Sequence, residues 1–167
     1  MSDDNQTAEA TQAQAYSAQA NANTFRLTVV TPYQVFWDDP CGMLIFTAAD
    51  GEMGIMANHT PMVAALYPGE LRIRRNGQWS VAFVSNGYVQ VESNYVIVVT
   101  NAAEWPEDID LKRAQSTIDR GQERINKPDA SEDDVKIGRH AVRRGQKRLE
   151  IAKKYAGRPQ GPGNRQA

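Results

Sequence analysis

The chain has 167 residues, 41% of them hydrophobic, with one Cys and two His. That length holds one ordinary domain, or a small one with an appendage. The lone thiol excludes an internal disulfide framework, and so few Cys and His argue against zinc-type ligation. No apolar run approaches the roughly 20 residues of a membrane helix. The formal net charge of −1 conceals a split: residues 1–110 carry 4 basic and 13 acidic side chains, residues 111–167 carry 15 and 7. A basic C-terminal third points to an anionic partner, whether nucleic acid, nucleotide or acidic protein surface, with a merely solvated helical face as the alternative.

Residues 1–23 are rich in Ala, Gln, Asn, Ser and Thr and contain three acids but no Lys or Arg. They lack the basic start and apolar core of a secretory signal and the arginines of a mitochondrial transit peptide, so the composition predicts a disordered tail. From Phe25 the pattern alternates in twos. Phe25, Leu27 and Val29 mark a first strand that ends at Pro32, Tyr33–Trp37 a second, and Cys41–Ala48 a third. Asp50-Gly51 is a turn pair, and residues 50–61 read as a polar, turn-rich loop. Leu71, Ile73 and Arg75 lead into Asn76-Gly77, a two-residue hairpin turn, from which Trp79–Val84 returns. Gly87–Glu92 and Tyr95–Thr100 make another pair around Ser93-Asn94. Eight or more short strands with no intervening helix predict a β-sandwich or flattened barrel.

At Glu104–Ala114 the period changes. Pro106 cannot extend a sheet ladder, and Glu107, Asp108 and Asp110 crowd the start of a helical run, with Asp110 as its N-cap. Leu111, Ala114, Ile118, Gly121 and Ile125 then step by three and four along one helix face. Lys127-Pro128-Asp129 breaks that helix. Ser131 and Asp134 form a capping box with Asp in place of Glu, and a second helix runs to about Tyr155, stopped by Gly157 and Pro159. Its inward positions are Val135, Gly138, Val142, Gly145, Leu149 and Ala152. Each Gly costs a helix about 1 kcal/mol relative to Ala, so the sequence predicts a marginal hairpin able to leave its resting position. The fold class is therefore α+β, an N-terminal antiparallel β-sandwich followed by a C-terminal antiparallel helical hairpin. The segments are a tail over 1–23, the sandwich over 24–104, the hairpin over 105–157 and a loose tail over 158–167.

Gly51-Glu52-Met53-Gly54-Ile55-Met56-Ala57-Asn58-His59-Thr60-Pro61 resembles the signature segment of the epsilon subunit of bacterial F-type ATP synthases. Thr28–Pro32, Ala65–Arg72 and the Gly87 strand pair fit the same pattern, and the resemblance covers about residues 24–156. It implies a noncatalytic rotor subunit of the central stalk. Such a subunit clamps the gamma subunit to the ring of c subunits, peripheral to the bacterial inner membrane on its cytoplasmic side. By this resemblance Thr31 and His59 face gamma and Glu52 faces the c ring. An exposed acid in a polar loop suits a partner's basic loop, while the glycines simply shape the turn and His59 has an alternative role as an internal hydrogen-bonding group.

Ile109-Asp110-Leu111-Lys112-Arg113-Ala114 matches the Ile/Leu-Asp-x-x-Arg-Ala motif of epsilon subunits that bind ATP in the folded hairpin. Matching position by position, the resemblance implies a nucleotide site of Glu104, Ile109, Asp110, Arg113, Ala114, Arg120, Arg144 and Arg148. ATP is then a regulatory ligand, and no cofactor is required. The residues support this independently. Arg144 and Arg148 lie one turn apart, roughly 6 Å along the axis, on one face, and guanidinium forks pair bidentately with phosphate. With no glycine-rich phosphate loop, such a site senses and does not hydrolyse. The competing reading is that these arginines pair with Asp119, Glu123 and Glu150 on the hairpin itself. The resemblance further implies that the extended hairpin wedges between gamma and the catalytic alpha and beta subunits and inhibits ATP hydrolysis, with Arg139, Arg143, Lys147 and Arg148 facing an acidic segment of a beta subunit. Two other classes are weaker. For an enzyme, His59, Cys41 and the carboxylates near Pro106 show no triad, metal or phosphate-loop spacing. For a nucleic-acid-binding or adaptor module, only Tyr155 interleaves the basic helices with an aromatic ring.

Overall fold

Alternation at Phe25, Leu27 and Val29 turns three apolar side chains to one face, and all three are buried. The same period-two logic builds ten strands in the computed structural model, which describes residues 23–158, 160 and 161. They are β1 (Phe25–Val30), β2 (Val35–Cys41), β3 (Met43–Ala48), β4 (Gly51–Met56), β5 (Met62–Leu66), β6 (Gly69–Arg75), β7 (Gln78–Val84), β8 (Gly87–Val91), β9 (Tyr95–Thr100) and β10 (Ala103–Glu104). One sheet has the order β2-β1-β9-β8-β5 and the other β10-β7-β6-β3-β4. Leu27, Val89 and Val98 from the first face Leu44, Phe46, Ile55, Leu71 and Ile73 from the second in a single core. Cys41 lies in that core, where burial pushes its thiol up to about 11, so it stays protonated and inert.

The sandwich is the expected one with three differences. Gly51–Met56 is an edge strand paired with β3, and not a loop; two glycines and exposed alternate positions hide an edge strand from apolar periodicity. Residues 33–34 form a turn, so the second strand starts at Val35. One neighbouring pair, β1 with β9, runs parallel, while every other pairing is antiparallel. Asn76-Gly77 makes the hairpin turn between β6 and β7, both residues at positive φ, as that turn requires.

After a 3-10 turn at Pro106–Asp108 come α1 (Leu111–Ile125) and α2 (Glu132–Lys154). Asp110 caps α1 by accepting from the Arg113 N–H at 3.0 Å. The Ser131–Asp134 capping box is complete, and Arg124 at the end of α1 donates to Asp134 at 2.8 Å, tying the two helices together at their junction. Ala114 and Gly121 of α1 face Gly138, Val142 and Gly145 of α2. The glycines have a positive purpose here. A Cβ on Gly121 would lie 2.9 Å from the Gly138 carbonyl oxygen, and one on Gly145 would lie 2.8 Å from that of Ala114. Small residues thus let the two backbones touch, and the seam is tight where the composition suggested looseness. Leu111, expected on this seam, is instead 55% exposed; the buried face of α1 begins at Ala114.

The hairpin lies against the outer face of the second sheet. Phe83 of β7, Ile109 and Ile151 form a small buried cluster, with Ala152 and Tyr155 packed on it. Around it, Lys154 donates to Glu70 at 2.7 Å, the Tyr155 hydroxyl donates to the other Glu70 oxygen at 3.2 Å, and Arg143 stacks on Tyr67. Within the stretch read as a loose C-terminal tail, the backbone N–H groups of Gln160 and Gly161 donate to the Glu107 carboxylate. The expected N-terminal tail lies outside the described residues, apart from Asn23. Among the described residues no helix is long and apolar enough to cross a membrane.

Two outcomes follow from the hairpin's construction. Gly145→Ala raises helix propensity yet destabilises the hairpin by about 1–3 kcal/mol through overpacking, read as a lower melting temperature with faster amide exchange in α1 and α2. The donated hydrogen bond from Arg124, with those of Ser131, holds the Asp134 carboxyl down at about 2 from an ordinary 3.8. A depressed carboxylate contributes stability that is complete above its unfolded pKa and lost as pH falls through the folded one. The junction of α1 and α2 therefore loosens between about pH 4 and 2, and an NMR titration of the Asp134 carboxyl with an Asp134→Asn control checks it.

Candidate functional site: an arginine-lined cavity between sandwich and hairpin

The last sandwich residue and the second helix are joined by one ion pair. Arg148 donates from Nε and Nη2 to the same Glu104 oxygen, at 2.9 and 2.7 Å, and its guanidinium lies 4.3 Å from the Phe83 ring centroid. Both side chains are less than a third exposed, which strengthens the pair relative to a surface one. Glu104 is held on β10, paired with Phe83 of β7.

Above this pair opens a cavity of about 760 Å³. One wall is the face of α1 carrying Arg113, Ala114, Thr117 and Arg120, spaced by one, three and three residues. Arg144 and Arg148 of α2 come from the facing helix, and Glu104, Asp108 and Asp110 close the floor. Of the eight residues expected at a nucleotide site, seven line this one cavity. The eighth, Ile109, is 7% exposed and belongs to the apolar cluster with Phe83 and Ile151, so it seats the hairpin and does not line the cavity.

The arginines are not neutralised on the hairpin in the way the competing reading required. Asp119 accepts from Gln115, and Glu150 pairs with Lys147. Arg113, Arg120 and Arg144 make no ion pair with a carboxylate among the described residues; Arg120 donates only to the Ser116 carbonyl. Burial, and then the positive charge of Arg148, push the Arg144 pKa down. Its charge is therefore held at a cost that an anion in the cavity would relieve. Nη1 of Arg148 also lacks a partner among the described residues, leaving that arm of the fork for a phosphate oxygen.

The residues expected to meet protein partners are dispersed. Thr31 lines the cavity, where its hydroxyl organises a turn with Gln34. Glu52 stands on the edge strand β4 and pairs with Arg72 of β6, an in-fold role the sequence did not disclose. Nδ1 of His59 is 2.8 Å from the Thr60 carbonyl oxygen. Arg139 is exposed, while Arg143 stacks on Tyr67 and Lys147 pairs with Glu150. Sequence reasoning missed the sandwich side of the cavity: Tyr33, Gln34, Ser85 and Asn101. They sit in three connections that only the strand order brings together, and no spacing in the sequence signals this.

The family model described as "ATP synthase, Delta/Epsilon chain, beta-sandwich domain" matches residues 24–106. The chain is 47% identical over 105 residues to an ATP synthase epsilon chain of Alkaliphilus oremlandii, covering 63% of this chain and 78% of that one. It is 36% identical over 133 residues to the ATP synthase epsilon chain of Caldanaerobacter subterraneus subsp. tengcongensis, covering 79% and 96%. A chain in the Euglena gracilis mitochondrial ATP synthase structure (OSCP/F1/c-ring) superposes with a TM-score of 0.66 at 24% identity, over 81% of this chain and 85% of that one, which shows a shared fold.

Replacing Glu104 with Gln keeps the shape of the Arg148 contact but removes its charge. The expected result is a docked hairpin weakened by about 1–3 kcal/mol, seen as faster amide exchange in α2 with β1–β9 unchanged.

Proposed function

The chain belongs to the family of ATP synthase epsilon chains, a noncatalytic subunit of that complex, and from that premise we propose that it is a rotor subunit whose hairpin is regulated by ATP. The sandwich clamps gamma to the c ring in the central stalk, at the cytoplasmic side of the bacterial inner membrane. The folded hairpin binds ATP. In its absence the hairpin can extend toward the catalytic subunits, where Arg139, Arg143, Lys147 and Arg148 oppose an acidic surface and block hydrolysis.

One observation carries the regulatory part: three arginines without carboxylate partners among the described residues and a fourth held by Glu104 converge on one cavity that spans both helices and the sandwich. A polyphosphate in that cavity takes hydrogen bonds from α1 and α2 at once, which neither helix can supply after extension. A ligand bound only by the folded form stabilises it by RT ln(1 + [L]/Kd), about 2.7 kcal/mol at a hundredfold excess over Kd. The docking contacts it adds to are few, mainly a three-residue apolar cluster and the Glu70 and Glu104 pairs, so an increment of that size is large enough to shift the population. For the sandwich, Glu52 on an edge strand with its side chain 58% exposed supports contact with a partner's basic loop even while Arg72 holds it.

Isothermal calorimetry of the full chain with millimolar ATP gives measurable heat, and Arg144→Ala weakens binding at least tenfold; no heat with or without magnesium discards the nucleotide reading. In the assembled enzyme, removing residues 110–167 raises ATP hydrolysis. An unchanged rate discards the inhibitory reading.

A further inference from the structure

The chain that leaves α2 turns back toward the base of the hairpin. Tyr155 caps the helix, and Gly157, at a φ of 71°, takes the left-handed turn that commonly ends a helix and directs the chain off the α2 axis. The Arg158 N–H donates back to the Tyr155 carbonyl at 2.9 Å, and the Gln160 side-chain amide donates to the Arg158 carbonyl at 2.8 Å. These bonds fix the outgoing path, which ends on the linker between sandwich and hairpin.

There Glu107 of the 3-10 turn accepts from two successive backbone N–H groups, from Gln160 at 3.1 Å and from Gly161 at 2.9 Å, adjacent donors of the kind that suit an anion. Gly161 is buried against the Trp105 indole, so closely that a Cβ on it would lie 3.3 Å from Cδ1 of that ring. The linker is itself fixed to the sandwich at this point. The Trp105 ring lies 4.6 Å from that of Phe36 and 6.2 Å from that of Trp37, both on β2, and Trp37 belongs to the core. At the far end of the hairpin, Arg124 and Asp134 tie α1 to α2. At the near end, the Glu107 contacts tie the exit from α2 to the linker. The hairpin is thus closed at both ends, and the second closure crosses the joint at Ile109 and Asp110 from which the helices depart.

We propose that Gln160 and Gly161 form a strap that must leave Glu107 and Trp105 before α2 can part from α1 and the sheet. This rests on the movable-hairpin reading above and concerns what restrains that movement, with or without a nucleotide. The far closure joins two moving helices, so it travels with them and sets no limit on lifting. The strap joins a moving element to a stationary one, and any displacement of the α2 end away from the linker breaks it. Its contacts are few and Glu107 is exposed to water, so the restraint is modest and reversible, as a latch requires.

Thiol labelling of the full chain tests it. Val142→Cys places a thiol in the seam between α1 and α2, and Ile151→Cys places one beneath the docked end of α2. Both positions are buried, so each reacts only when its cover lifts, while Cys41 in the sandwich core reports global unfolding. Ending the chain after Gly157 speeds labelling at both positions about three- to tenfold and leaves Cys41 unreactive. Glu107→Ala gives the same acceleration in the full chain and none in the shortened one, as two halves of one contact must. Acceleration confined to position 151 reduces the strap to a guard against helix fraying and overturns the proposal, as do unchanged rates at both positions. If neither position reacts ahead of Cys41 even in the shortened chain, the hairpin moves only with global unfolding, and the movable-hairpin reading falls together with the strap.

Discussion

The contact between Arg148 and Glu104 determines how the two halves of the molecule relate. Glu104 sits on the last rung of the sandwich and Arg148 on the second helix, so this one pair sets the height at which α2 lies over the sheet. With α2 in place, Arg144 comes one turn along the same face and α1 follows through the glycine seam, bringing Arg113 and Arg120 opposite. The cavity is thus a product of docking. If the pair is broken and the hairpin lifts, its four arginines lose the floor and far wall that Glu104 and the sandwich supply.

The docked state rests on a delicate balance. The sandwich core draws on two full sheets, and truncating one of its large residues, Phe46 for example, would cost about 3–5 kcal/mol. The hairpin is attached by far less: Phe83, Ile109 and Ile151, the Glu70 and Glu104 pairs and the Glu107 contacts to Gln160 and Gly161. Within itself, however, the hairpin is tightly packed, because Gly121, Gly138 and Gly145 bring the backbones into contact. Cohesion within the pair is therefore stronger than its adhesion to the sheet.

Much of this was legible in the sequence. Period-two alternation located β1, β6, β7, β8 and β9, and Asn76-Gly77 located their sharpest turn. Asp110 and Ser131 fixed both helix starts to the residue, because caps depend on local hydrogen bonds. What escaped was non-local. Edge strand β4 has one buried side chain, Ile55, and two glycines, so apolar periodicity had nothing to detect. The tightness of the glycine seam depends on what faces each glycine, which helix propensity ignores. The arginine wall was visible through the resemblance, which matched Arg113, Arg120, Arg144 and Arg148 position by position, with helical spacing adding support for Arg144 and Arg148, while Tyr33, Gln34 and Asn101 meet only after β1 has found β9.

That parallel pairing has a consequence in time. β1 is the second strand of its sheet, but its parallel neighbour β9 comes about seventy residues later in the chain. On the ribosome, the first hairpin of β1 and β2 must wait several seconds for Val96 and Val98 to emerge, at synthesis rates of about 5–20 residues per second. Non-local closure of this kind is slow and leaves strand edges open meanwhile. The helices, made last and rich in short-range contacts, then form on a surface that is already finished. The order in which the chain is written is also the order in which each layer finds its support, sandwich first and hairpin second.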